Sequence, residues 1–370
     1  MKKNLLHTPE VVRDVYGIEY AKKLVIEEKL RSKLLSYGYE DIQTPIFEYF
    51  DVFSNEIGTT ASKDLYKFFD KEGDTLVLRP DFTPSIARCA AKYFMEENVP
   101  LRFCYLGNTF TNTSNLQGKL KEVTQIGAEL IGENSVYADA EMINLMIESL
   151  LNTGLVNFQV SIGQVEVFKG LVEEAGLDEE TECRLREYIS VKNMYGAEDV
   201  LLNAGVSKEI SNTIIKMTDL YGSIEALSAA KSFVSNERSL KAIEHLEKVY
   251  EILTMYGNEK YISFDLGMLS KYRYYTGIIF RAYTYGIGDA IVKGGRYDNL
   301  LNHFGKNAPS VGFAAVVDEI LEALSRQKVE ITLPDEKKVL FYTEADFESV
   351  LHKAQELRAE GFKVELLRKD

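Results

Sequence analysis

Between Val165 and Glu259 the chain is rich in Glu, Lys, Leu and Ala and carries almost no strand signal, whereas alternating apolar segments stand on both sides. That contrast restricts the fold more than any other feature. Phe158, Val160 and Ile162 alternate before the helical stretch; Ile262, Phe264 and Leu266, then Ile278 and Phe280, alternate after it. A period of two turns one side of each strand toward a core. A sheet interrupted by a helical insertion satisfies both halves, and the mixture of hairpins and helices predicts an α+β fold: an antiparallel sheet flanked by helices.

The remaining segments fill in this plan. Residues Glu19 to Ser36 read as a helix with Ile26, Leu30 and Leu34 on one stripe, stopped by Gly38. Pro45 makes the stretch from Gly38 to Phe53 an edge or interrupted strand. Phe68 to Leu78 predicts a hairpin turning at Lys71 to Asp74, and Pro84 to Tyr93 a helix. Leu101 to Asn108 and Glu122 to Ile131 read as strands joined by a polar loop, in which Lys119 and Lys121 read as solvated charges. Ala138 to Leu151 is helical, with Met142, Leu145, Met146 and Leu150 as its apolar stripe. GGRYD, from Gly294 to Asp298, predicts a turn opening a helix; Val311 to Ser325 predicts a strand running into a helix. A charged linker containing Pro334 leads to a final strand, helix and strand. The expected organisation is a core in two parts, 1–164 and 260–327, a helical insertion over 165–259, and a linker with a partial βαβ appendage over 328–370.

Several classes of function are disfavoured. No apolar run reaches the length of a membrane span, so no membrane association is expected. Cys89, Cys104 and Cys183 are odd in number and widely spaced, which points to a reducing cytoplasm and not to a disulfide framework. His7, His245, His303 and His352 are scattered, so no metal site is expected, and no Walker loop or dinucleotide fingerprint calls for a cofactor. Lys and Arg total 43 against 57 Asp and Glu, a net charge of -14 that disfavours gripping a nucleic-acid backbone.

The stretch GMLSKYRYYTGIIF, from Gly267 to Phe280, holds a tyrosine pair followed by Thr276 and Gly277. It resembles the signature segment of histidyl-tRNA synthetases. Five further segments match that family in order: GYEDIQTPIFE, TLVLRPDFTPSIAR, LRFCYLGNTFTN with GKLKEVTQIGAELIG, GGRYDNLL, and PSVGFAAVVDEIL. The resemblance runs from about residue 8 to residue 325, and the tail is similar to the first part of the family's anticodon-binding domain. It implies a class II aminoacyl-tRNA synthetase-like sheet, with GYEDIQTPIFE as motif 1, the dimer interface. It also implies a histidine pocket. Asp81 and Thr83 match positions that hold the α-ammonium, Gln125 a polar contact nearby, and Glu129 and Tyr275 groups that read the imidazole. Tyr274 would support them, and Gly294, Gly295 and Arg296 are candidates for the pocket wall. These residue types suit the ligand, since an ammonium needs acceptors and an imidazole needs a carboxylate and an aromatic wall.

The adenylating half of the pattern differs. Joining a carboxylate to the α-phosphate of ATP needs fixed cations between two anions, and the family uses arginines. Their positions here are Thr111, Ser270 and Glu319. No catalytic residue is therefore expected. The chain is also similar to the regulatory subunits of ATP phosphoribosyltransferase, notably in LRPDFTPSIAR and QIGAELIG. That resemblance implies a non-catalytic partner of a short-form catalytic subunit, required for its activity and for feedback inhibition by histidine in the first step of histidine biosynthesis. Two alternatives stay open: an active histidyl-tRNA synthetase and a stand-alone histidine-binding scaffold.

Overall fold

The computed structural model describes residues 6–53, 60–97, 99–113, 119–269, 275–334 and 337–369. Helix α1 (Gly17–Ser36) precedes the short strands β1 (Glu40–Asp41), β2 (Phe47–Tyr49), β3 (Lys67–Phe69) and β4 (Thr75–Leu78). Then come α2 (Thr83–Tyr93), β5 (Leu101–Phe110), β6 (Glu122–Ile131), α3 (Val136–Thr153) and β7 (Phe158–Gln164). Helices α4 (Val165–Glu174), α5 (Glu179–Ser190), α6 (Met194–Asn203) and α7 (Lys208–Thr218) follow, then the two-residue β8 (Tyr221–Gly222), α8 (Glu225–Lys231) and α9 (Glu237–Met255). Strands β9 (Ile262–Asp265), β10 (Ile278–Thr284), β11 (Val292–Arg296) and β12 (Ser310–Val316) lead into α10 (Val317–Arg326). The chain closes with β13 (Lys338–Tyr342), α11 (Phe347–Ala359) and β14 (Val364–Arg368).

Two compact units are distinguished: Met1–Asp14 with Ile26–Val329, and Val15–Val25 with Glu330–Asp370. In the second, β13 and β14 pair in parallel and α11 packs on both. The first is built on a nine-stranded sheet in the order β1-β5-β6-β12-β11-β10-β7-β9-β8. From β5 across to β7 every pairing is antiparallel. The joins of β1 to β5 and of β7 to β9 are parallel, so the sheet is mixed rather than wholly antiparallel. Parallel neighbours require a long crossover. The helices from α4 to α9 provide the one between β7 and β9; β2 to β4, with α2, provide the other.

Helix α3 shows how local sequence fixes an element. The Ser135 hydroxyl accepts from the Ala138 N–H at its start, and Gly154 ends it at φ 97°. Its apolar stripe covers the back of the sheet: Met146 and Leu150, with Leu30 and Leu34 of α1, close around Ile126, Val292, Phe313 and Ala315. The front carries α2 at one end, where Phe82, Ile86 and Ala90 share a cluster with Phe103, Tyr105, Tyr297 and Leu301. Helix α9 packs against both α3 and α4.

One local expectation is overturned. Gly294 to Arg296 do not turn; they form the end of β11. The neighbours explain it. A Cβ at Gly294 would run into the Phe280 ring and lie 2.6 Å from the Gly312 carbonyl, so the glycine admits an aromatic ring within the sheet.

Candidate functional site

Strand β6 is the axis of the site. Gln125, Gly127 and Glu129 alternate onto the front face. Across the register on β5 stand Gly107, Tyr105 and Phe103, and on β12 stand Val316, Ala314 and Gly312. Gly295 of β11 continues the row from Gly312, and Ile279 of β10 continues it again. Two glycines are required by close approach. A Cβ at Gly312 would overlap the Glu129 carboxylate and sit 2.7 Å from the Ala128 carbonyl. One at Gly295 would sit 2.7 Å from the Tyr275 ring and 2.5 Å from the Ile278 carbonyl.

Glu129 is 1% exposed. Its Oε1 accepts from the Thr83 hydroxyl at 2.8 Å, and its Oε2 accepts from the Tyr297 hydroxyl. Burial pushes its carboxyl up to about 8, against the lowering effect of those two hydrogen bonds, and Asp81 pushes the same way as burial. Asp81 accepts from the Thr83 N–H at 2.9 Å and so fixes the first turn of α2. Tyr275 packs against Val165, Met268 and Ile279. Burial raises its hydroxyl, as do Asp81 and Glu129, while the charge of Arg281 opposes them. Asp81, Thr83, Glu129 and Tyr275 are therefore gathered in one place. Gln125 shares their face; its Oε1 is buried without a hydrogen-bond partner among the described residues, and so is the Tyr105 hydroxyl. Buried polar atoms left unpaired are costly, and at a partly open site a ligand can satisfy them. Tyr274 lies outside the described residues.

Arg296 is directed away from Glu129. Its guanidinium donates to Asp139 of α3 at 2.9 and 2.6 Å, to the Glu133 carbonyl at 3.2 Å and to Asp298 at 3.2 Å. Burial disfavours its charge, but Asp139 more than restores it. Asp139 also meets the ring of His245 on α9 at 3.0 Å. Asp298 accepts from the Thr276 hydroxyl at 3.1 Å, and the Thr276 N–H donates to the Arg296 carbonyl at 2.8 Å. This network ties the segment after Tyr275 to β11.

The far end of the face has a different character. The Thr111 N–H donates to the Lys121 carbonyl at 2.9 Å. Glu319, in the first turn of α10, has a buried Oε2 with no hydrogen-bond partner among the described residues. Burial raises its carboxyl, as does nearby Asp289, against the pull of Lys293 and Lys119. Asp289 accepts from Lys119 at 2.7 Å and from Lys293 at 3.1 Å. Burial opposes its ionisation, yet Lys119 and Lys293 hold it well below the usual carboxylate range. Lys119 is thus an ion-pair partner and not a purely solvated charge. Ser270 lies outside the described residues.

Sequence reasoning missed several side chains here. Tyr297 was within reach, as the fourth residue of GGRYD, and so was Arg281, which alternates with Ile279 onto the front face. Arg79 stacks over Phe82 at 3.9 Å and donates to the carbonyls of Thr44 and Asn108, both at 2.9 Å. Phe82 stacks in turn on Tyr105 at 4.3 Å. Nothing in the spacing signals that stack, or the pairing of Asp289 with Lys119.

Known proteins resemble this chain over most of its length. The family model for histidyl-tRNA synthetase matches residues 11–320. An ATP phosphoribosyltransferase regulatory subunit of Acetivibrio thermocellus is 41% identical over 361 residues, covering 98% of this chain and 86% of that protein. One from Clostridium kluyveri is 40% identical over 362 residues, covering 97% and 93%. Among solved structures, an ATP phosphoribosyltransferase regulatory subunit/histidyl-tRNA synthetase from Bacillus halodurans matches with a TM-score of 0.90 at 30% identity, covering 98% of this chain and 93% of that one. Histidyl-tRNA synthetase from Nostoc shares the fold, with a TM-score of 0.82 at 21% identity and coverage of 99% and 86%.

Proposed function

The chain belongs to the histidyl-tRNA synthetase family, in the branch of ATP phosphoribosyltransferase regulatory subunits, and from that premise we propose that it regulates ATP phosphoribosyltransferase in histidine biosynthesis without itself catalysing a reaction. It acts on a separate catalytic subunit and senses histidine through the site around Glu129. The observation that carries the reading is the buried Glu129 carboxyl, bridged by Thr83 and Tyr297 beside two unsatisfied polar atoms, Gln125 Oε1 and the Tyr105 hydroxyl. An imidazole offers the ring nitrogens that a carboxyl and a tyrosine read. An α-ammonium offers the donor that Gln125 Oε1 lacks.

Regulation then follows from two-state coupling. Histidine binds one arrangement of the complex more tightly, that arrangement turns over more slowly, and the inhibition is no larger than the difference in affinity. Replacement of the adenylating arginines by Thr111, Ser270 and Glu319 is part of the same reading. A carboxylate at Glu319 repels a triphosphate, and removing one preorganised donor costs about 10²- to 10³-fold in rate.

The test is reconstitution with a short-form catalytic subunit, following product while histidine is added. Histidine inhibits the complex, and both Glu129→Ala and Tyr275→Ala abolish inhibition while the complex still assembles. Inhibition untouched in both variants places the sensor elsewhere.

A homodimer is also proposed. Ile46, Phe47 and Tyr49 are each about half exposed, and Phe68 of β3, across β4 on the face of Phe47 and Tyr49, is partly exposed with its ring 6.0 Å from that of Phe47. Clustered exposed aromatics of this kind mark interaction surfaces. Sedimentation at micromolar concentration gives twice the 42.0 kDa chain mass, and Phe47→Glu with Tyr49→Glu gives the monomer. A monomeric wild type contradicts the assignment.

A further inference from the structure

Among the described residues Arg281 is a cation with no anionic partner. It lies on β10, paired in register with Lys293 on one side and Ser161 on the other. Alternation places it on the front face, beyond Ile279 and on the same side as Glu129. Its neighbours are already committed to other groups: Lys293 to Asp289, and Ser161 to Ser263 at 3.1 Å. Among the described residues Arg281 makes no hydrogen bond or ion pair, and its one electrostatic partner is the Tyr275 hydroxyl. That hydroxyl also feels Asp81 and Glu129. Arg281 therefore stands between the charges around Tyr275 and the ion pair of Lys293 with Asp289.

A half-buried guanidinium without an anion lacks compensation for its lost hydration. Its planar fork matches a carboxylate with two parallel hydrogen bonds. We propose that Arg281 binds the α-carboxylate of the amino acid held at Glu129 and so makes the site selective for the free amino acid over analogues lacking that group. The inference rests on the histidine reading of the site. The acceptors near Gln125 and Thr83 take the ammonium, Glu129 and Tyr275 take the ring, and Arg281 completes recognition of the zwitterion. No other role is required of it.

Calorimetric titration of the full chain with histidine and with histidinol separates this from the parent reading. Histidinol keeps the ring and the ammonium but replaces the carboxylate with a hydroxymethyl group. The wild type binds histidine more tightly than histidinol by about 10- to 100-fold, the worth of a hydrogen bond to a charged group. In Arg281→Gln the affinity for histidine falls to that for histidinol, and histidinol itself is unaffected. Arg281→Lys, which keeps the charge and loses the fork, falls between, and it carries the test if the glutamine variant does not fold. Equal binding of both ligands by the wild type overturns the proposal while leaving the histidine pocket intact. So does equal loss of both ligands in a folded Arg281→Gln, which marks a structural role, and so does a change confined to ATP binding, which marks a phosphate contact. Failure of the wild type to bind either ligand removes the parent reading and this one with it.

Discussion

Replacing Glu129 with glutamine flattens the pH dependence of stability between pH 5 and 8. The carboxyl titrates near 4.5 in an unfolded chain and is pushed up to about 8 by burial in the folded one. Over that interval the folded protein holds a proton that the unfolded chain has released. Stability therefore falls as pH rises through the window, because the native state binds more protons. Moving a titration midpoint by one pH unit is worth about 1.4 kcal/mol, so the contribution is on the order of several kcal/mol. Glutamine keeps an acceptor for the Thr83 hydroxyl, and the Tyr297 hydroxyl can reorient to accept from its amide. Glu129→Gln is accordingly more stable than the wild type at pH 8 and close to it at pH 5. Urea unfolding of both proteins at the two pH values measures the difference. Parallel pH slopes for the two would show that Glu129 is not held protonated. Glu129→Ala, by contrast, removes the acceptor of the Tyr297 and Thr83 hydroxyls and gains little at any pH.

The residues that made the fold legible were those whose neighbours lie close in sequence. The stripe of Met142, Leu145, Met146 and Leu150 with Gly154 beyond it, and the hairpin turn at Gly73, depend on local geometry alone. The parallel joins were not legible. The partners of β7 on β9 are separated by the entire run of helices from α4 to α9, and nothing in a strand's own pattern names a neighbour so far away. GGRYD misled for a physical reason: glycines signal turns through backbone freedom, yet Gly294 and Gly295 are used here for close approach of the Phe280 and Tyr275 rings.

The same division holds at the site. Gln125 and Glu129 share a face because four residues of strand return to the same side. That Tyr297 and Thr83 would both donate to Glu129 needed three separate segments to meet. The pairing of Arg296 with Asp139 spans 157 positions and that of Lys119 with Asp289 spans 170. Such contacts are set by the tertiary fold and leave no mark on local spacing. The alternation of Ile278 to Thr284 did place Arg281 on the front face, but it takes the structure to show that no anion among the described residues pairs with it there.

The absence of adenylation is the largest effect expected. Forming the adenylate brings two anions together, and in the proposed reading Thr111 and Glu319, which carry no positive charge, take the place of cations that adenylation needs. The lysines at that end of the face, Lys119 and Lys293, are already bound to Asp289, with Glu319 beside them. Loss of several preorganised donors multiplies well beyond the roughly 10²- to 10³-fold cost of one. The most direct measurement is exchange of labelled pyrophosphate into ATP, with histidine and magnesium present and histidine binding followed in parallel. Saturable histidine binding with no exchange above the protein-free background is the expected result. Exchange that depends on histidine, or a wild-type protein that binds no histidine, would contradict a histidine site that has lost its adenylating chemistry.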